Sequence, residues 1–294
     1  MKIIECVPNF SCGDCPNFQD SIAQKIASHD GVTLADCSRD ADHNRSVFTI
    51  IGSPEAVLLA TLNACILAVS LIDLREHHGE HPRIGAVDVV PFVPLTDTSL
   101  AEAATIAKRF GESFSKATRV PVYYYGAAAT APPRRELSWI RRGGYEALAG
   151  KMLLPEWTPD EGVATFNARS GATAVGARFP LVAFNINLDS DDLALAKNIA
   201  KAIRQSNGGL AGIQAIGVEL KHRKLVQVST NITDYRRTTM QAVFAAVKAR
   251  AVGVQIRETE LIGIAPRDAF GATPAAILLN NFHPQMILEN HLAP

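Results

Sequence analysis

The chain has no excess of charge: 29 lysines and arginines face 29 aspartates and glutamates over 294 residues. That balance argues against a nucleic-acid-binding protein, whose footprint is usually a basic surface. There is no unbroken apolar run of the roughly 20 residues a membrane span requires. The longest, 56–72, is interrupted by Thr61, Asn63 and Ser70. Met1-Lys2-Ile3-Ile4-Glu5 meets an acid and then Pro8 too early for a signal peptide, so a cytoplasmic protein is expected. Cysteines are few and odd in number, five in all. This gives no disulfide framework and fits a reducing compartment. Cys12-Gly13-Asp14-Cys15 is a C-x-x-C without a second pair downstream. A structural zinc site needs four ligands, so ordinary turn residues are expected here in preference to metal or redox chemistry.

What is present is a core: 47% of the residues are hydrophobic, and the length suits one large or two moderate domains. Residues 2–7 read as a strand ended by Pro8. Phe18, Ile22 and Ile26 mark one helix face, and 32–35 and 47–51 are short β-branched strands on either side of a polar connection. Ser53-Pro54-Glu55 starts a helix, with a capping hydroxyl, proline at the first position and an acid in the first turn. A strand follows at 87–93, a helix from the capping box Ser99–Glu102, and a strand at 120–125. From 126 to 176 glycines and prolines punctuate short helical pieces. Regular patterning returns as a strand at 181–188, a helix at 191–204, a hairpin of 213–220 with 225–232, a helix at 239–251 and a strand at 259–264. The tail after Pro266 is expected to dock as a helix. Both halves thus read β-α-β-β-α-β, the ferredoxin-like order. The expected fold is α/β (α+β): two such subdomains, 1–178 and 179–294, side by side. Each should carry a mostly antiparallel sheet with helices on one face, and ligand sites favour the cleft between such units.

The densest chemistry lies in His77-His78-Gly79-Glu80-His81-Pro82-Arg83-Ile84-Gly85. Gly79, Pro82 and Gly85 break any helix, which leaves a structured loop at an element end. His77 and His81 have the spacing of a helical metal pair. The breakers and the lack of an H-E-x-x-H order speak against metal, and histidines that merely cap the loop are the bland alternative. A histidine titrating near neutrality also suits proton transfer. The second constellation is Gly162-Val163-Ala164-Thr165-Phe166-Asn167-Ala168-Arg169-Ser170-Gly171. It leads into a strand and opens no helix, so a dinucleotide or P-loop reading is rejected. An inter-domain turn remains the alternative. Asn9 follows the first strand, and period-2 spacing puts Asn185 and Asn187 on one strand face. Amides there suit a heterocycle edge or an amino acid, with a plain polar face as the alternative. Arg134, Arg135, Arg141 and Arg142 read either as a solvated helix face or as an attraction for an anionic tail.

These residues carry a resemblance. Val7-Pro8-Asn9-Phe10-Ser11, Asn44-Arg45-Ser46-Val47, Gly79-Glu80-His81-Pro82-Arg83, the Gly-Ala-Thr run at 171–173, and Ala183-Phe184-Asn185-Ile186-Asn187 resemble the glutamate formimidoyltransferase family over essentially the whole chain. The resemblance implies two ferredoxin-like subdomains, a homodimer, His81 as catalytic acid-base, and folate contacts from Gly162 to Gly171. It adds Asn9, Arg45, Arg83, Asn185 and Asn187 as lesser substrate contacts. The implied reaction moves a formimino group from N-formimino-L-glutamate to N5 of tetrahydrofolate, a co-substrate, in histidine degradation. One histidine acting as base and then acid suffices, and no metal is needed. Neither nucleic acid nor membrane is an expected partner, and the chain ends before any cyclodeaminase domain of the kind some members carry. Cys12 stands where the family has an acid, 205–213 looks shortened, and the end diverges. A donor such as N-formyl-glutamate and a non-catalytic folate carrier remain the alternatives.

Overall fold

Pro8 has no amide hydrogen to give a ladder, and it divides the first strand into β1 (Ile4–Cys6) and β2 (Asn9–Phe10). In the computed structural model, which describes residues 1–41, 43–76 and 82–292, both pieces lie antiparallel between the same neighbours. These are β4 (Arg45–Gly52) and β5 (Val87–Pro94). β3 (Val32–Asp40) pairs with the far side of β4. The chain divides into two units, Met1–Phe179 and Pro180–Pro294, and the β-α-β-β-α-β element order occurs in each.

In the first unit α1 (Phe18–Ala27), α2 (Pro54–Leu71) and α3 (Leu100–Thr118) share one core with the sheet residues Ile4, Cys6, Phe48, Ile50, Val90 and Phe92. The Ser99–Glu102 capping box that starts α3 is formed in both directions. By length and composition α2 could cross a membrane. Here Ala60, Ala64, Cys65 and Ala68 are fully buried, and small side chains on that face let the helix lie close to its neighbours.

The structure corrects the sequence reading in several places. The polar stretch 36–40 is strand, the second half of β3. An edge strand meets water on one flank, so its polar composition hides it from a hydrophobic pattern. The small residues at 173–177 also form a strand, β7 (Thr173–Ala177), buried throughout and parallel to both β5 and β6 (Val122–Gly126). Gly176 is required there, because a Cβ would sit 2.5 Å from Tyr125. Helices do not keep to one face. Beyond β5, the second face is covered by Ile140 of α4 (Leu137–Arg141), Leu148 of α5 (Leu148–Lys151), Met152 and Trp157, packed on Val89, Tyr123 and Tyr125. The indoles of Trp139 and Trp157 stack 4.4 Å apart. The weakly patterned stretch is therefore a second layer of the first unit.

Arg134 and Arg141 are not a solvated face either. Arg134 is buried, bonds Asp160 at 2.7 Å and lies over the Tyr123 ring, while Arg141 pairs with the buried Asp88. Arg135 and Arg142 do face solvent. Cys12 and Cys15 are joined in a disulfide, not left as plain turn residues. The turn brings their Cα atoms 5.8 Å apart, within bridging range.

The second unit holds β8 (Val182–Leu188), α6 (Leu193–Ile203), β9 (Ile213–Leu220), β10 (Leu225–Ile232), α7 (Met240–Lys248) and β11 (Ile256–Ile262). Its strands run β11-β8-β10-β9, all antiparallel. Phe184, Ile186 and Leu188 join the core with α6 and α7. Alternation sends Asn185 and Asn187 to the other face. The tail after Pro266 is a chain of short 3₁₀ turns, not one helix, since Pro274 and Pro284 each start a new turn. Ile277, Leu279 and Met286 dock it on this core.

Candidate active site

The two glycine-rich motifs, far apart in sequence, meet as backbone. Ala86 donates to the Ser170 carbonyl at 2.9 Å, Ala172 to that of Ile84 at 3.0 Å, and Gly85 bridges Gly171. Only glycine fits this crossing: Gly171 has φ +64°, and a Cβ on it would lie 2.1 Å from the Ile84 oxygen. The other flank of the histidine loop is tied to the same segment. Leu74 donates to the Arg169 carbonyl at 2.9 Å, and the Arg169 guanidinium to that of Ser70 at 2.8 Å. His77, His78 and His81 themselves lie outside the described residues. Residues 162–169 are largely solvent-facing. The Asn167 side chain closes a turn by accepting from the amides of Arg169 and Ser170. Phe166 meets Tyr145 at 5.4 Å, and Arg83 lies over the Tyr145 ring, 5.7 Å from its centroid, while bonding Glu146 at 3.0 Å.

Beside this junction lies a pocket lined by Phe10, Ser11, His43, Asn44, Arg45, Arg83 and Asp88. Ser11 fastens its wall to the loop, giving its hydroxyl hydrogen to the Gly85 carbonyl at 2.7 Å. Asp88 accepts from the Ile84 amide at 2.9 Å with one oxygen and from Arg141 with the other. Burial and the neighbouring Arg141 cation lower the Arg45 guanidinium to about 9, with Asp88 and Asp40 opposing. A desolvated cation next to another cation gains from any anion that arrives. On the turn between β3 and β4, Asp40 holds His43 twice, accepting from its amide at 2.8 Å and meeting Nδ1 at 3.0 Å.

The remaining expected residues are placed as follows. Asn9 is buried in the first unit, its amide donating to the Val7 carbonyl at 2.6 Å. Asn185 and Asn187 belong to the second unit, where Asn187 donates to Glu260 at 2.7 Å and accepts from Gln227 at 2.9 Å. Asn187 also donates to Glu258 at 3.2 Å, and Arg223 reaches the same two acids, Glu258 and Glu260. Among the described residues no cluster of three or more histidine, cysteine or acidic side chains has the makings of a metal site. Sequence reasoning passed over His43, Asp88 and Glu5, and read Arg141 only as part of a solvated or tail-attracting arginine cluster. For Asp88 there was a signal, an acid within an eight-residue strand that is otherwise apolar. Glu5 on β1 is buried, and that burial raises its carboxyl to about 7 with Arg178 opposing.

Comparison with known proteins agrees across the chain. Residues 3–178 match the family described as formiminotransferase domain, N-terminal subdomain, and residues 183–290 match the formiminotransferase domain. A glutamate formimidoyltransferase of Streptococcus pyogenes serotype M1 is 41% identical over 99% of both chains. One of Thermoplasma acidophilum is 36% identical over 99% of this chain and 98% of its own. The formimidoyltransferase-cyclodeaminase of Gallus gallus is 42% identical over 91% of this chain, which spans 51% of that protein. The chain belongs to the formiminotransferase domain family.

Proposed function

We propose that this protein is a glutamate formimidoyltransferase, moving the formimino group of N-formimino-L-glutamate to N5 of tetrahydrofolate and releasing L-glutamate in histidine degradation. The observation that carries this is the crossing of 84–86 with 170–172, which ties the loop that bears the expected acid-base to the expected folate segment. In this reading His81 handles the protons, and the reacting nitrogen and amidine carbon are brought together by binding. The segment Gly162, Val163, Ala164, Thr165, Phe166, Asn167, Ala168, Arg169, Ser170 and Gly171 takes tetrahydrofolate through the solvent-facing backbone and aromatic face of 162–169. Arg45 and Arg83 meet substrate carboxylates, a charge-assisted contact. Asn9, Asn185 and Asn187 are lesser contacts. The subdomains are 1–178 and 179–294, and the working form is a cytoplasmic homodimer.

The test is turnover with N-formimino-L-glutamate and, separately, N-formyl-L-glutamate, each with tetrahydrofolate. Formation of 5-formiminotetrahydrofolate, with the formyl donor at least tenfold slower, is the expected result. Tight folate binding without turnover on either donor would leave a carrier in place of an enzyme.

A further inference from the structure

His43 is an imidazole for which sequence patterning gave no role, and the fold immobilises it at the pocket. Asp40 and Arg45 face each other across the β3–β4 ladder, so the intervening turn hangs directly from paired strands. Asn44 in that turn has φ +46°, and its side-chain oxygen accepts from the Gly13 amide at 2.7 Å. The Asp40 carboxylate then bonds both the amide and Nδ1 of His43, which is only 8% exposed. A carboxylate on Nδ1 fixes the tautomer and makes Nε2 the nitrogen whose proton can move. Arg45, Arg83 and Asp88 line the same pocket, and Arg141 stands behind Asp88.

Two arginines in one pocket suit a carboxylate, and the donor's departing nitrogen sits on the carbon that bears its α-carboxylate. His43 and Arg45 line one pocket, so an α-carboxylate held by Arg45 would bring that nitrogen into the pocket that the imidazole also lines. We propose that His43, oriented by Asp40, is the acid that protonates the departing glutamate nitrogen, with Arg45 holding the adjacent α-carboxylate. The proposal rests on the formimidoyl-transfer reading and divides its two proton transfers. Tetrahydrofolate N5 forms the bond to the amidine carbon and gives its proton to the base, His81 in that reading. The bond from that carbon to the glutamate nitrogen breaks, and its electron pair takes the Nε2 proton of the His43 imidazolium. One histidine has gained a proton and the other lost one, and exchange with water resets both.

The experiment compares two donors, N-formimino-L-glutamate and N-formimino-3-fluoro-L-glutamate. Fluorine makes the departing nitrogen a weaker base that needs less help to leave. In His43→Gln, kcat with the ordinary donor should fall about 10²-fold, within the range of general acid catalysis, while KM for tetrahydrofolate stays within twofold. The deficit should shrink at least fivefold with the fluorinated donor. Asp40→Asn should show the same donor dependence with a smaller deficit, as expected of a positioning residue. The ratio of rates for two donors in one preparation does not depend on the fraction folded, so a merely structural role for His43 gives equal deficits on both. Equal deficits, or a kcat within threefold of the parent, would overturn the proposal. A parent protein that forms no 5-formiminotetrahydrofolate would instead overturn the formimidoyltransferase reading.

Discussion

Replacing Asp88 by alanine removes the charge that the pocket's interior arginines are built around. Asp88 is 4% exposed at its side chain and Arg141 is 15% exposed. Removing one member of a buried pair costs about 3–5 kcal/mol, because the partner is left as an uncompensated buried charge. The residual exposure of Arg141 puts the expected loss at the lower end, about 3 kcal/mol. The loop-fixing bond from the Ile84 amide goes as well. In a unit of this size 1 kcal/mol shifts the melting temperature by about 2–4 °C, so Asp88→Ala should melt about 6–12 °C below the parent. Asp88→Asn keeps an acceptor for Ile84 but points an amide donor or a neutral oxygen at Arg141, and it should fall between the two. The assay is thermal and urea unfolding, with the m-value checked for constancy. Adding Arg141→Ala to Asp88→Ala should cost far less than Arg141→Ala alone costs the parent, the signature of coupling. A loss below about 0.5 kcal/mol for Asp88→Ala, the size of an ordinary surface substitution, would refute the reasoning.

Gly171→Ala should cost at least about 2 kcal/mol, since it combines left-handed strain of about 1–2 kcal/mol with a backbone clash. Gly208→Ala, at φ +80° in open space, should cost the strain alone in the same melting assay. At Glu5 the folded chain holds a proton more tightly than the unfolded chain, because burial raises the carboxyl to about 7. Stability therefore falls as pH rises from the ordinary carboxylate range to that value, and is flat above it. Glu5→Gln should melt above the parent near pH 8 and converge with it at acid pH, and identical melting at both would count against the shift. Arg169→Ala should weaken tetrahydrofolate binding by about 1.5–3 kcal/mol, the worth of a bond to a charged group. Isothermal titration showing unchanged affinity would remove Arg169 from the ligand.

Most longer helices and apolar strands were legible from a period or a cap. Phe18, Ile22 and Ile26 on α1, the Ser99–Glu102 capping box and the alternation along β8 all stand where the sequence put them. What stayed hidden was structure made by context. β7 is five residues in which two alanines and a glycine dilute the β-branched Thr173 and Val175, and it is held between two parallel neighbours with no room for a side chain at Gly176. The 36–40 half of β3 is polar because it lies at an edge. Trp139 and Trp157 lie in the weakly patterned stretch, and nothing local marks them as a stacked pair closing a second layer. At the site, the two glycine-rich motifs were each legible, while the backbone bonds that join them are long-range and leave no local mark. His43 and Asp40 are three residues apart in a stretch that reads as a polar loop, and their pairing exists only because the β3–β4 turn folds one onto the other.

The central claim is best tested by single-turnover formation of 5-formiminotetrahydrofolate from N-formimino-L-glutamate, in the parent and in His81→Ala. The account predicts product in the parent and a rate about 10²–10⁴-fold lower in the variant, with folate binding retained, because proton transfer is what the imidazole supplies. A variant that turns over at the parental rate, or a parent that makes no product, would contradict it.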